Sequence, residues 1–343
     1  MRTKAKTITA RQLHDTLSKI KVGGAACHYS LKKCGELTPI INEINQLKQN
    51  QNAIILAHSY VAPDIIYGVA DFVGDSYGLS KDALSTSAEK IIFAAVRFMG
   101  ETAQILNPHK EVLIPATDPG CTLADAITDE EVRRLRKEYP DYAFVCYVNT
   151  TAEVKAECDV CVTSANIYHI IEKMPNKKIY FLPDKLMGQN LIDEMKERGI
   201  NKEIAFYKGT CVVHEEFTKE EVLHIRSEYP DVKVVSHPEC KPEVCEISDY
   251  VGSTSQMLKY MRTADGDRFL MFTECGLSSR MEVEFAGKEF VGSCRLCKYM
   301  KSNTLSDILR VLKNPTDKDR VLLDENIRKR ALTSLEAMFA YTK

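Results

Sequence analysis

Two stretches, RKEYPD at residues 136–141 and RSEYPD at residues 226–231, decide how this chain folds. Each leads into an apolar run of strand character, YAFVCYVN after the first and VKVVSHPEC after the second, and AIILAHSY at 53–60 matches both. Repetition at a fixed period identifies structural units before any single motif can be trusted. At the carboxyl ends of the three runs stand His58, Tyr147 and His237. A little further on, ADFVGDS, CDVCVTS and SDYVGST align Asp71, Asp159 and Asp249, and put Ser76, Ser164 and Thr254 in one equivalent position. Next come IIFAAVRFMG, KIYFLPDKLMG and RFLMFTECG, whose glycines Gly100, Gly188 and Gly276 fall at equal intervals.

Each copy closes on a cysteine followed seven residues later by a threonine: Cys121 and Thr128, Cys211 and Thr218, Cys297 and Thr304. An acid stands three residues beyond each threonine, at Glu131, Glu221 and Asp307. The first two pairs read as capping boxes and the third as a weaker relative, so a helix is expected to start at each. Within a copy, short apolar runs alternate with helical stretches such as LSKDALS and TSANIYHIIEKM. That alternation is the βαβ pattern of a parallel sheet with helices on both faces. The predicted fold is therefore α/β: three homologous three-layer αβα domains with parallel sheets around a pseudo-threefold axis. The expected boundaries are a helical extension over 1–35, repeats over 36–140, 141–230 and 231–313, and a helical tail over 314–343. Ligands of open α/β sheets sit beyond the carboxyl ends of the strands, which is where His58, Tyr147, His237 and the three cysteines fall.

The composition fits a globular protein: 343 residues, 44% hydrophobic and 27% charged, with a formal charge of -2. Both signs are interspersed, so no nucleic-acid face is expected and an anionic ligand must be met by local groups. No apolar run reaches the roughly 18 residues of a membrane span, and no signal peptide is visible, so a cytoplasmic protein is expected. The opening MRTKAKTITARQLHDTLSKIK is basic and reads as a surface helix rather than a transit peptide. Twelve cysteines are many for a chain of this kind and point to metal binding or catalysis. Cys158-x-x-Cys161 and Cys294-x-x-Cys297 have zinc-ligand spacing. The first pair, however, sits in the strand-like DVCV, where cysteine serves as a small hydrophobe. Three thiolates around one axis suit an iron-sulfur cluster and leave one iron without a protein ligand, open to act as a Lewis acid. The competing reading is three inherited core residues. In GTCVVHEEFT, residues 209–218, the thiol also stands three residues before a histidine.

AHSYVAPDI, ADFVGDS, YVNTTAEVKAECDVCVTSAN, HPEC, DYVGSTSQM and CKYMKSNTL together resemble the quinolinate synthase family from about residue 36 to 313. The resemblance implies condensation of iminoaspartate with dihydroxyacetone phosphate to quinolinate, with release of phosphate and two waters, on the path to NAD. It also implies three αβα domains around a 4Fe-4S cluster held by Cys121, Cys211 and Cys297, with Cys294 a rival for the third position. The substrate-binding residues it implies are His58, Ser76, Tyr147, Val148, Asn149, Ser164, His237, Pro238, Glu239 and Thr254. Glu239 is the expected acid/base group with His237 over the reacting centre, and Tyr60 assists proton transfer or closes over the substrate. The enzyme that produces iminoaspartate is a candidate partner. The alternative is a repeat-built binding or scaffold protein with zinc or no metal at the axis.

Overall fold

The structure, a computed structural model, describes residues 6–22, 28–292 and 294–343. Three four-stranded sheets carry the chain. The first holds β1 (Ala53–His58), β2 (Phe72–Gly74), β3 (Lys90–Ala94) and β4 (Glu111–Leu113). The second holds β5 (Ala143–Tyr147), β6 (Val160–Val162), β7 (Lys178–Leu182) and β8 (Glu203–Phe206). The third holds β9 (Lys233–Ser236), β10 (Tyr250–Val251), β11 (Arg268–Phe272) and β12 (Glu289–Val291). Every pairing is parallel, and each sheet has its first strand between its second and third, giving orders 2-1-3-4, 6-5-7-8 and 10-9-11-12. Helices intervene between successive strands, as parallel connections require. Strands covered on both faces read as continuous apolar runs, and AFVCY of β5 is buried at every position. The three-domain α/β expectation is met.

The repeated residues explain why the copies are built alike. Asp71, Asp159 and Asp249 each accept the amide of a central-strand residue, Ile55, Phe144 and Val234, at 2.7, 2.7 and 2.8 Å. Each also donates its own amide to the carbonyl of that same residue. These aspartates fasten the second strand's entry to the first strand. Gly100, Gly188 and Gly276 lie in helices where a Cβ would come within 2.4 Å of Ile114, 2.6 Å of Phe206 and 2.7 Å of the Tyr60 carbonyl. Only glycine allows the helix that close.

Thr128, Thr218 and Thr304 cap the helices Asp129–Glu138, Lys219–Glu228 and Leu305–Lys313, each accepting the amide three residues on. Of the two expected capping boxes only the one at Thr218 and Glu221 is reciprocal; the Glu131 carboxylate turns instead to Arg134. A charge-assisted bidentate pair outcompetes a bond to a neutral amide.

Outside the sheets, helix Ala10–Leu17 buries Leu13 and Leu17 against helix Leu31–Asn50, whose N-cap is Ser30, so that this second helix straddles residue 36. The C-terminal tail is not wholly helical. Its backbone first pairs with β4, Ile114 donating to Asp319 and Val321 to Val112, which covers the sheet's edge. Helix Glu325–Tyr341 then packs on helix Ala152–Ala156 and β6. No helix among the described residues is long and apolar enough to cross a membrane.

Candidate functional site

The three repeated cysteines are placed by one device used three times. The amides of Arg97, Lys185 and Cys275, each just beyond the third strand of its sheet, donate to the carbonyls of Pro119, Gly209 and Arg295 at 2.8, 2.7 and 2.9 Å. Each acceptor lies two residues before its cysteine. Beyond the sulfur the backbone turns once, so that Asp125, Glu215 and Lys301 donate to the carbonyls of Cys121, Cys211 and Cys297. Two amides in each turn consequently face the sulfur: Leu123 and Ala124 at Cys121, Val213 and His214 at Cys211, Tyr299 and Met300 at Cys297. Such amides stabilise a thiolate.

The three loops are also bonded to one another. Thr122 donates to the Thr210 carbonyl at 3.1 Å and accepts from the Val212 amide at 3.3 Å. Ser302 donates to the Asp118 carbonyl, and Arg295 pairs with Glu216 and Glu221. All three cysteines line one cavity. Burial raises all three thiols, Cys121 to about 12. A metal group must therefore displace their protons as it binds.

The rest of the cavity comes from equivalent strand ends. His58, Tyr147 and His237 line it, and so do Tyr60, Asn149 and Glu239, each two residues further on. The Tyr60 amide donates to His58 Nδ1 at 3.2 Å, and the Glu239 amide to His237 Nδ1 at 3.3 Å. An Nδ1 that accepts leaves the ring proton on Nε2. Burial lowers both imidazoles, His58 to about 4 and His237 to about 3, so both are neutral donors at pH 7. Ser76 and Thr254 open helices Ser76–Ser85 and Thr254–Thr263, and Ser164 precedes helix Ile167–Lys173; all three line the cavity. Hydroxyls at helix N-termini favour anions. Among the described residues, no lysine or arginine lines the cavity.

Glu239 is buried at the centre of this wall. Tyr147 donates to its Oε1 at 2.5 Å, and His214 Nδ1 lies 2.8 Å from its Oε2. Burial works against the carboxylate charge, but His214 beside it and the hydrogen bonds from His214 and Tyr147 overcome that and hold the carboxyl well below its usual range. Burial first, then the neighbouring Glu239, keeps the Tyr147 phenol protonated, and burial does the same for Tyr60. Glu274, fully buried, accepts the Cys297 amide at 3.0 Å and the Gly276 amide at 2.6 Å. Lys301 neutralises it at 2.9 Å and also donates to the Tyr60 carbonyl.

A family model described as "Quinolinate synthetase A protein" matches residues 42–340. The chain belongs to this family. It is 43% identical over 300 residues to a quinolinate synthase of Sinorhizobium fredii, covering 88% of this chain and 82% of that protein. It is 44% identical over 311 residues to one of Aquifex aeolicus, covering 88% and 94%, and 39% identical over 334 residues to one of Xylella fastidiosa, covering 94% and 96%.

Of the residues expected from the family resemblance, the structure brings all but one to the cavity wall, Val148 included. Pro238 is the exception: its carbonyl is bonded to the Asn190 side chain. Cys294 is not a free rival to Cys297. It forms a disulfide with Cys275, because the Cys275 to Arg295 backbone bond sets the two Cα atoms 5.2 Å apart. That pairing also removes the zinc site imagined from two C-x-x-C pairs; Cys158 and Cys161 are buried core residues beside Cys146. The residues not anticipated are His214, Thr273, Glu274 and Lys301. For His214 a signal existed in the spacing Cys211-x-x-His214, which puts the ring over the turn that holds the sulfur, 3.2 Å from it.

Proposed function

We propose that this chain is a quinolinate synthase, condensing iminoaspartate with dihydroxyacetone phosphate to quinolinate with release of phosphate and two waters. One observation carries the reading: three repeat-equivalent thiols, each at the start of a backbone turn with two amides facing the sulfur, on one cavity. Thiolates in that number fit a 4Fe-4S cluster held by Cys121, Cys211 and Cys297. Such a cluster with one iron free of protein ligands supplies Lewis-acid chemistry to a departing hydroxyl.

The chain's own groups do the rest. Carbon-carbon bond formation, isomerisation, ring closure and dehydration all move protons, and Glu239, ionised at neutral pH and hydrogen-bonded on both oxygens, is the acceptor in the wall. His58 and His237, locked with hydrogen on Nε2, are donors to carboxylate or carbonyl oxygen rather than bases. Ser76, Ser164, Thr254, Tyr147 and Asn149 complete a neutral donor set. Two helix N-termini in that set receive a dianion without a fixed cation. Tyr60, protonated and near Glu239, closes the wall as a donor. The substrates are small molecules, and the enzyme that makes iminoaspartate is the natural neighbour in solution.

A second reading has one observation in its favour: Cys211, His214 and Glu239 offer ligand atoms within 4.8 Å of one another, as a single metal ion would need. An ion there must break the bond from His214 to Glu239 and leaves Cys121 and Cys297 without a role. The deciding experiment is anaerobic. Purified protein should contain about four irons per chain and form quinolinate from the two substrates; a colourless protein with one zinc and no quinolinate would transfer the case to the second reading.

A further inference from the structure

Thr273 directly follows β11, is buried, and is not part of the cavity wall. Its hydroxyl lies between two groups that are. Tyr60 Oη is 2.9 Å from Thr273 Oγ1, and His214 Nε2 is 3.4 Å from it. Beyond His214 the chain of contacts continues to Glu239, and beyond Tyr60 to Thr254, whose hydroxyl donates to Tyr60 at 3.1 Å. These residues come from all three repeats.

The Thr273 hydroxyl has one hydrogen to give, so it donates to one of Tyr60 and His214 and accepts from the other, which couples the two. The far nitrogen of the same ring, Nδ1, lies 2.8 Å from Glu239 Oε2 and 3.2 Å from Cys211 Sγ.

We propose that Thr273 is a positioning residue for the reaction: its hydroxyl ties the Tyr60 hydroxyl to the His214 ring, and so holds Tyr60 and Glu239 in register. The inference rests on the quinolinate-forming reading. Valine at this position keeps the shape and removes both bonds, leaving the Tyr60 hydroxyl and His214 Nε2 without the partner that links them. Serine keeps the hydroxyl.

The test compares wild type, Thr273→Val, Thr273→Ser, Tyr60→Phe and the Val/Phe double variant in iron content and anaerobic steady-state kinetics. Alongside these, the His214 ring-nitrogen signals are read from nitrogen-15 spectra of histidine-labelled, iron-free protein, with His214→Gln to assign them. Losing two buried hydrogen bonds predicts a kcat about ten- to a hundredfold lower for Thr273→Val, with KM within about twofold and wild-type iron. Thr273→Ser should recover most of kcat, and the double variant should lose less than the product of the two single losses. The His214 ring-nitrogen signals should change in Thr273→Val and hold in Thr273→Ser. Wild-type kcat in Thr273→Val, or equal impairment in valine and serine variants, overturns the inference. Should valine prevent folding, Thr273→Ala replaces it under the same criteria. An iron-loaded wild type that forms no quinolinate refutes the functional reading instead, and the His214 ring-nitrogen signals still decide for or against Thr273.

Discussion

Tyr147 gives its phenolic hydrogen to Oε1 of Glu239 at 2.5 Å, joining the end of β5 in the second sheet to the loop after β9 in the third. The bond does two things. It keeps an ionised carboxylate inside a buried wall, and it fixes which way that carboxylate faces the cavity. Glu239→Gln keeps the shape and removes the proton acceptor, so it should fold, keep its iron and lose turnover by about two to four orders of magnitude. Anaerobic kinetics alongside iron analysis checks this; near-normal turnover would place the base elsewhere.

The repeat sets three cysteines apart as the proposed ligands. Alanine at Cys121, Cys211 or Cys297 should abolish iron binding, because each supplies one of three equivalent sulfurs on the cavity. Alanine at Cys158 or Cys161, buried in the second sheet, or at Cys294, bonded to Cys275, should leave iron content near wild type. Iron and sulfide analysis of the six variants decides. Loss of iron from Cys294→Ala with retention in Cys297→Ala would reassign the third ligand.

Acid should weaken the fold through the two cavity histidines. Their folded values of about 4 and 3 lie below the 6.5 of an unfolded histidine. Between those limits the unfolded chain binds more protons, so stability falls as pH drops below about 6.5 and levels off above it. At about 1.4 kcal/mol per pH unit, His58 alone costs roughly 3 kcal/mol by pH 4. The buried carboxyls of Asp64, Glu101 and Glu282 are raised and act in the opposite direction, so the difference between wild type and His58→Asn is the quantity to measure. In urea titrations of iron-free protein, the variant should lose about 3 kcal/mol less across this window. Parallel pH curves for the two proteins would contradict the assignment.

The three equivalent glycines should not be equivalent in effect. A Cβ at Gly100 meets a side-chain terminus, Ile114 Cδ1, whereas at Gly276 it meets the Tyr60 carbonyl and Glu274. Alanine at either should cost about 1–3 kcal/mol through overpacking. Only Gly276→Ala should also lower kcat, because the backbone it displaces carries Tyr60. Thermal unfolding and kinetics of both variants test the contrast.

Much of this was legible in the sequence because it was written three times. One aspartate at a strand entry is an ordinary surface residue; three in register, at Asp71, Asp159 and Asp249, mark a shared strand-fastening bond. The thiols were found the same way. What repetition could not show is contact between copies. Thr273 meets Tyr60 across 213 residues, Lys301 reaches Tyr60 across 241, and the strand pairing of the tail joins Val321 to Val112. No periodicity encodes those meetings. The Cys275 to Cys294 bond, 19 residues apart, matches no spacing pattern and follows from a backbone bond visible only in the fold.

Three repeated thiols that hold an iron-sulfur cluster should leave its fourth iron for the substrate. Mössbauer spectroscopy of iron-57-enriched anaerobic protein, with and without a dicarboxylate inhibitor bearing a thiol, tests it directly. One iron in four should have parameters distinct from the rest, and that iron alone should shift when the inhibitor binds, since a soft thiolate suits an open iron site. Four equivalent irons that ignore saturating inhibitor would contradict it.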